Sequence, residues 1–461
     1  MDKFEMVLRQ LVYFVFVLCV SLSSQNAFSQ ESLWTRQIGN DWPQFLGPDG
    51  DGKSDETGII KDWSAGNLKL LWKTSTGEGY GMGSVSNGRF FHFGRMDGKA
   101  NLICLNAETG EPIWNFSYPS NYRDMYGYDS GPRASPIIDQ NRVYIYGVEG
   151  MLHCLNVTDG KLIWKLDVNK KFGVIQNFFG VASSPVIFED KIIVMAGGSP
   201  ADSNQIPAGR LDLVKPNGTG IIALDKLTGQ LLYQTVDDLA SYCSLKATRF
   251  DQSPVILAWM RGSLFGLNPQ NGKPIFDFYW RARKLESVNA SMPVVLPEDQ
   301  IFISECYERG SVLLKRTDSG VTPIWTDQGR RDKALEAHWN TPVVDGDYLY
   351  GCSGRHSGPA ELRCIHWKTG EVQWKQRGLA RSSITWIDGH LVVIGELGDL
   401  VLVKANPDRY EEVTRYEPGQ GENQIEFRQP CWAAPVISHG LLYVRGKSQM
   451  ACFELIPNSS D

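Results

Sequence analysis

Leu102-Ile-Cys-Leu-Asn-Ala-Glu-Thr-Gly-Glu-Pro-Ile-Trp114 returns as Leu152-His-Cys-Leu-Asn-Val-Thr-Asp-Gly-Lys-Leu-Ile-Trp164. The phrase comes back as Ile222-Ala-Leu-Asp-Lys-Leu-Thr-Gly-Gln-Leu-Leu-Tyr233 and as Phe265-Gly-Leu-Asn-Pro-Gln-Asn-Gly-Lys-Pro-Ile-Phe276. Looser copies end at Trp325 and Trp374, and a degraded one runs from Asn406 to Tyr416. Recurrence every ~40 to 70 residues is the period of propeller blades or solenoid units. Each copy reads as strand, tight turn, strand, with alternating apolar residues before a turn of Asn or Asp, two further residues, a short polar residue and glycine. An aromatic stands four residues after the glycine at Trp114, Trp164, Tyr233, Phe276 and Trp374, and one residue later at Trp325. A large flat side chain fixed in every unit is expected to pack between neighbouring sheets and not to bind a ligand.

Each phrase is preceded by a second signature: a small residue, proline and a β-branched run. It occurs as Ser135-Pro-Ile-Ile, Ser184-Pro-Val-Ile, Ser253-Pro-Val-Ile, Met292-Pro-Val-Val, Thr341-Pro-Val-Val and Ala434-Pro-Val-Ile. Gly83-Ser-Val-Ser and Ile384-Thr-Trp-Ile are variants without the proline. Proline at the start of a strand removes no ladder hydrogen bond. Counted this way, eight units open near Gly83, Pro136, Pro185, Pro254, Pro293, Pro342, Thr385 and Pro435. The eighth ends at Met450–Leu455 without its aromatic strand, whereas Trp72 stands on an orphan strand, 68–74, ahead of the first unit. The expected fold is all-β: an eight-bladed β-propeller whose N-terminal strand completes the C-terminal blade, so that the ring has no free edge there.

With its tryptophans and turns, the repeat resembles the tryptophan-docking repeat of propellers similar to pyrroloquinoline quinone (PQQ)-dependent alcohol dehydrogenases. The resemblance covers roughly residues 42 to 456. The stretch Asp41-Trp-Pro-Gln-Phe-Leu-Gly-Pro-Asp-Gly-Asp-Gly looks like the start of a bacterial PQQ-like subfamily. The same repeat builds the propeller lipoprotein of the outer-membrane barrel assembly machinery. The resemblance therefore implies the fold and leaves two functions: a binding scaffold, or a quinone-dependent oxidoreductase.

Composition narrows the class. Charged residues make up 21% and the net charge is −6, which does not suit a nucleic-acid binder. Lys3 and Arg9, the apolar run Leu11 to Leu22 and the polar stretch to Ser29 read as a signal peptide with cleavage after Ser29. About 12 apolar residues are too few to span a bilayer, and Leu18 stands where a lipidation site at Cys19 wants a small residue. The expected division is a signal peptide (1–29), a lead-in (30–67), the propeller (68–456) and a tail (457–461), in a periplasmic or secreted protein without a membrane span. Cys104, Cys154, Cys364 and Cys452 share one place in their blades and are expected to be buried thiols. Cys243, Cys306, Cys352 and Cys431 leave a disulfide open.

Phosphate, nucleophile and zinc motifs do not occur in the sequence. A propeller's site forms where the loops entering the innermost strands gather around the channel. Alignment on the proline puts Tyr80, Arg133, Ala182, Asp251, Ala290, Trp339, Ser382 and Trp432 three residues ahead of it, with His338 and Arg381 one residue earlier. The expected binding positions are Arg133, Asp251, His338, Trp339, Arg381 and Trp432, holding a protein or small-molecule ligand at the channel mouth. The competing reading is that Arg133 and Asp251 form rim ion pairs while Trp339 and Trp432 plug the channel. For the oxidoreductase, the resemblance implies PQQ, a calcium ion near Asn177, Asp251 and Asn289, and Asp251 as base. It also implies a disulfide of adjacent cysteines, and no two cysteines are adjacent in this chain. The favoured expectation is a non-catalytic scaffold that needs no cofactor.

Overall fold

A computed structural model describes residues 31–418 and 424–458. The expected signal peptide lies outside the described residues, as do Cys19 and the last three residues of the tail.

The described residues form eight sheets around one axis, seven of four strands and one of five. Numbered along the chain, the blades have as innermost strands Ser84–Ser86, Ile137–Asp139, Val186–Phe188, Lys246–Phe250, Val294–Leu296, Val343–Asp345, Ser383–Ile387 and Val436–Ser438. In blades 1 to 6 the strands are antiparallel neighbours in sequence order. The outer strand of blade 8 is Leu70–Ser75, paired with Gln449–Glu454, with Trp72 opposite Cys452. The ring is thus closed by the N-terminal strand, as the orphan Trp72 requires.

One contact joins consecutive blades, and the repeated phrase encodes it. Across a bulge in each outer strand the aromatic faces a residue of the third strand: Trp114 opposite Cys104 and Trp164 opposite Cys154. Trp374 faces Cys364 in the same way. A small apolar partner leaves room for the ring, which explains why cysteine recurs at this place. All eight described cysteines are free and buried, so the disulfide left open at Cys243, Cys306, Cys352 and Cys431 does not form. The indole then crosses to the next blade. Trp114 Nε1–H donates to Val157 O at 3.0 Å, Trp164 to Lys226 O at 3.1 Å and Trp325 to Trp367 O at 3.0 Å. Its ring lies on the turn glycine of that blade. At Gly160, with φ +68°, a Cβ would come within 2.5 Å of Trp114 Cε3. Glycine is required there twice, for the left-handed backbone and for the ring above it.

Blade 7 lacks the aromatic: Thr414 stands opposite Leu402 across the bulge. The lead-in fills the gap. Trp63, fully buried, lies in the core shared by blades 7 and 8 with Leu402, Tyr416 and Phe453. Its backbone N–H donates to Thr414 Oγ1 at 2.9 Å.

The rest of the lead-in enters the channel from the end where each inner strand turns into the second. Trp42 bridges Val85 of blade 1, and Pro43 O accepts from Ile138 N of blade 2 at 2.8 Å. Lys246 Nζ of blade 4 holds Asp49 O and Gly50 O at 3.0 and 2.7 Å. Lys53–Ser54 adds a parallel strand to blade 7, and Glu56 accepts from His439 N and Gly440 N of blade 8. Burial pushes the Lys246 ammonium below its usual range, against the pull of Asp51. No helix of the described residues is long and apolar enough to cross a membrane.

Trp164→Ala, at a blade repeat, and Trp63→Ala, in the lead-in, are expected to cost comparable stability, on the order of 3–5 kcal/mol each as large-to-small core changes. Urea unfolding of the two variants checks this. A Trp63→Ala chain with an unchanged midpoint would show that the lead-in is not part of the blade 7–blade 8 contact.

Candidate functional site

With one end of the channel filled by the lead-in, the other is a blind cup of about 550 Å³ floored by Phe45 and Leu46. All eight blades or the loops between them line it. The wall is mostly aromatic and continuous. Tyr80 packs on Trp432 at 4.5 Å between ring centroids, Trp432 on Trp339 at 4.7 Å, and Trp339 on His338 at 4.6 Å. Tyr128 touches both Trp432 and Phe179, and Phe179 reaches Tyr242. Tyr126 and Tyr128, on the loop from blade 1 to blade 2, are 54% and 45% exposed and form the rim.

Five of the six positions expected from the sequence lie in this wall: Arg133, His338, Trp339, Arg381 and Trp432. Asp251 does not. It occupies the exposed turn between Lys246–Phe250 and Ser253–Trp259, at the opposite end of its strand. The alignment on proline slips by one strand in blade 4, because Pro254 opens the second strand and pairs with Arg249 of the first. The true opening is Ser244. Ser135 N donates to Ser184 Oγ and Ser184 N to Ser244 Oγ, each at 3.0 Å, so these serines occupy equivalent places in blades 2, 3 and 4. Tyr242 is therefore the counterpart of Arg133, and it lines the cup. The spacing held this signal: 136 to 185 and 293 to 342 are steps of 49 residues, and 245 to 293 nearly repeats them, whereas 254 to 293 does not.

The arginines differ in what is left for a ligand. Arg133 donates to Asp124 Oδ2 at 2.8 Å, Asp129 O at 2.9 Å and Gly131 O at 2.6 Å, and it lies over Tyr80. Arg381 grips both oxygens of Glu396, donates to Arg355 O, and is sandwiched over Trp339 and Trp432 at 4.8 and 5.2 Å. Burial would raise the Glu396 carboxyl, but hydrogen bonds from Arg381, Ser357 and Trp432 together with the Arg381 charge hold it below the usual range. Both guanidiniums are neutralised inside the wall, so the expected rim pair of Arg133 is with Asp124, not Asp251. Burial, then the charges of Arg381 and Arg355, push the His338 imidazole down to about 3, so it is neutral in any ordinary buffer. Arg355, over Tyr307 at 4.3 Å, and Glu286 were not among the expected binding positions, and both line the cup. Arg355 sits on a loop outside the proline alignment, where no repeat marks it, whereas Glu286 lies further out on the aligned loop that enters blade 5.

The calcium set implied for the oxidoreductase does not converge. Asn177 lies outside the cup, its amide turned to Ala240 O and Phe178 N. Asn289 donates to Met260 O and Arg261 O, and Asp251 is at the far turn. No cluster of three His, Cys, Asp or Glu side chains suited to a metal occurs among the described residues. These residues do not fit the ion.

Fold and docking contact define a PQQ-like repeat propeller. The chain belongs to the family described as outer membrane protein assembly factor BamB, whose profile matches residues 121–376. It is 22% identical to BamB of Yersinia pestis over 343 residues, 70% of this chain and 76% of that protein. BamB of Shewanella oneidensis matches at 23% over 174 residues, 34% of this chain and 41% of that protein. The crystal structure of BamB from Moraxella catarrhalis overlays with a TM-score of 0.54 at 13% identity, covering 84% of this chain and 98% of that one. At that identity the overlay speaks to the fold.

Two outcomes follow from the site's electrostatics. Arg133→Ala leaves the buried Asp124 carboxylate unpaired and is expected to cost about 3–5 kcal/mol, measurable as a lower urea midpoint. Because His338 is held at about 3 while an unfolded histidine titrates near 6.5, the unfolded chain takes up that proton first. The stability linked to it is present above about pH 6.5 and is lost as the pH falls toward the folded value. His338→Gln should therefore flatten the acid limb of stability against pH by about 1.4 kcal/mol per pH unit. An unchanged limb in urea titrations from pH 7 to pH 4 would place the imidazole in solvent.

Proposed function

We propose that this chain is an exported, non-catalytic propeller scaffold that holds a protein partner or ligand in the channel-mouth cup. The observation that carries the reading is the wall itself. Loops from around the ring bring aromatic side chains to one concave place, while Arg133 and Arg381 are locked into ion pairs that shape the wall and hold no reacting group. Aromatics and arginines of this kind anchor binding surfaces, and a cup of this volume falls in the range of about 300–1,000 Å³ usual for ligand sites. The oxidoreductase reading draws no support from the geometry, since Asp251, Asn177 and Asn289 are directed to other tasks.

The family's description as an assembly factor supports a protein partner over a metabolite. Within this proposal the chain acts in the periplasm, on a partner engaged in building the outer membrane. Arg133, His338, Trp339, Arg381 and Trp432 form the receiving wall, with Tyr126 and Tyr128 as the rim met first.

A photo-crosslinking amino acid at Tyr128 is expected to capture a defined protein partner in cells, whereas the same group at Leu232, on the outer wall, captures none. Trp339→Ala should reduce the Tyr128 crosslink by roughly tenfold or more, the loss expected of a binding hot spot, with the fold retained. Crosslinks confined to Leu232, or insensitive to Trp339, would move the function to the outer wall. Micromolar binding of PQQ with calcium, accompanied by alcohol-dependent dye reduction, would replace the scaffold by the oxidoreductase.

A further inference from the structure

Two charged side chains of opposite sign line the cup without an ion pair to any described residue. Arg355 lies on the loop between Tyr348–Ser353 and Glu361–His366 of blade 6, half-buried, with its guanidinium over the Tyr307 ring. Its backbone oxygen is fixed by Arg381 at 3.2 Å, but its side chain makes no ion pair with any described residue. Glu286 lies on the loop entering blade 5, exposed, and its carboxylate has no hydrogen bond or ion pair with a described residue. The two do not pair with each other, although both act on Tyr126 and Tyr307. Their neighbours Arg133 and Arg381 are each saturated by a carboxylate, so the wall has acids available where it uses them.

We propose that the cup receives the two ends of a short peptide carrying a large flat side chain, its carboxylate on Arg355 and its ammonium on Glu286. The inference deepens, and rests on, the reading of the channel mouth as a binding site. A guanidinium over an aromatic ring, as Arg355 is over Tyr307, is weakly hydrated, and its fork of N–H groups matches a carboxylate with two parallel hydrogen bonds. Phe45 and Leu46 beneath, with Trp339 and Trp432 beside, give the flat side chain an apolar bed. Opposite charges on adjacent blades also set the direction, because a reversed peptide meets like charge at both ends. Held by its ends, such a peptide does not need a particular sequence, only one aromatic or large apolar residue between them.

The test is a cycle on the full chain with the tripeptide Ala-Phe-Ala, followed by calorimetry and by the fluorescence of the cup tryptophans. Amidating the peptide's C-terminus should weaken binding roughly 10- to 100-fold, the worth of a charge-assisted hydrogen bond. Arg355→Gln should weaken the free peptide by a similar factor and bind the amidated one no worse. N-acetylation and Glu286→Gln should form the same non-additive pair. Arg283→Gln, exposed outside the cup, serves as the control and should change nothing. Capped peptides that bind as well as the free one, or losses that simply add, overturn the proposal. If Arg355→Gln does not fold, the capped peptides on the unaltered chain still decide. A chain that ignores all tripeptides at millimolar concentration yet is crosslinked through Tyr128 refutes the peptide ends and leaves the scaffold. Tripeptide binding without a Tyr128 partner keeps the peptide site and refutes the scaffold.

Discussion

The seating of one aromatic ring on the next blade's turn glycine holds this molecule together. It joins three demands in one place: a bulge that turns the indole out of its own sheet, a small residue opposite that leaves it room, and a glycine that accepts both the ring and a left-handed backbone. The indole N–H satisfies a carbonyl of the neighbouring turn, so the contact is polar at its tip and apolar along its body. Gly110, Gly160, Gly229, Gly272 and Gly370 each carry the ring of the preceding blade, so the contact passes from one blade to the next. The terminal blade is therefore left short of a ring until Trp72 arrives from the other end of the chain.

The lead-in extends this logic. Where blade 7 has Thr414 in place of the aromatic, Trp63 takes the vacancy, and the segment before it runs through the channel along the inner strands. One piece of chain thus repairs a weak inter-blade contact, closes one end of the channel and floors the cup. The site's depth and the ring's integrity are consequently coupled through residues 42 to 63.

Within the cup, charge is handled in two ways. Arg133 and Arg381 are sunk among aromatic rings and matched by Asp124 and Glu396. Such pairs fix the shape of the wall more than they add stability, since the cost of desolvating both ions offsets much of their attraction. Arg355, half-buried, and Glu286, exposed, line the same cup and form no ion pair with a described residue. The aromatic wall is permissive by comparison, because a ring face accepts many apolar partners.

The sequence by itself determined the architecture. The spacing of glycine and tryptophan encodes a contact between neighbours, and a contact repeated at a fixed period is legible in one dimension: eight blades, closure through Trp72 and buried cysteines at one shared place, whereas their position opposite the indoles comes from the strand register. Five of the six expected positions were legible for the same reason, since Arg133, Trp339 and Trp432 stand three residues, and His338 and Arg381 four residues, ahead of the aligned blade openings. Asp251 was misplaced because Ser253-Pro254 imitates a blade opening, and only strand pairing shows that Lys246–Phe250 lies inside it. Tertiary structure alone decided the rest. Trp63 replaces a missing ring from hundreds of residues away, Phe45 and Leu46 become a floor, and Arg355 and Glu286 reach one cup from different blades. None of these follows a period, because each depends on where the chain returns in space and not on its local pattern.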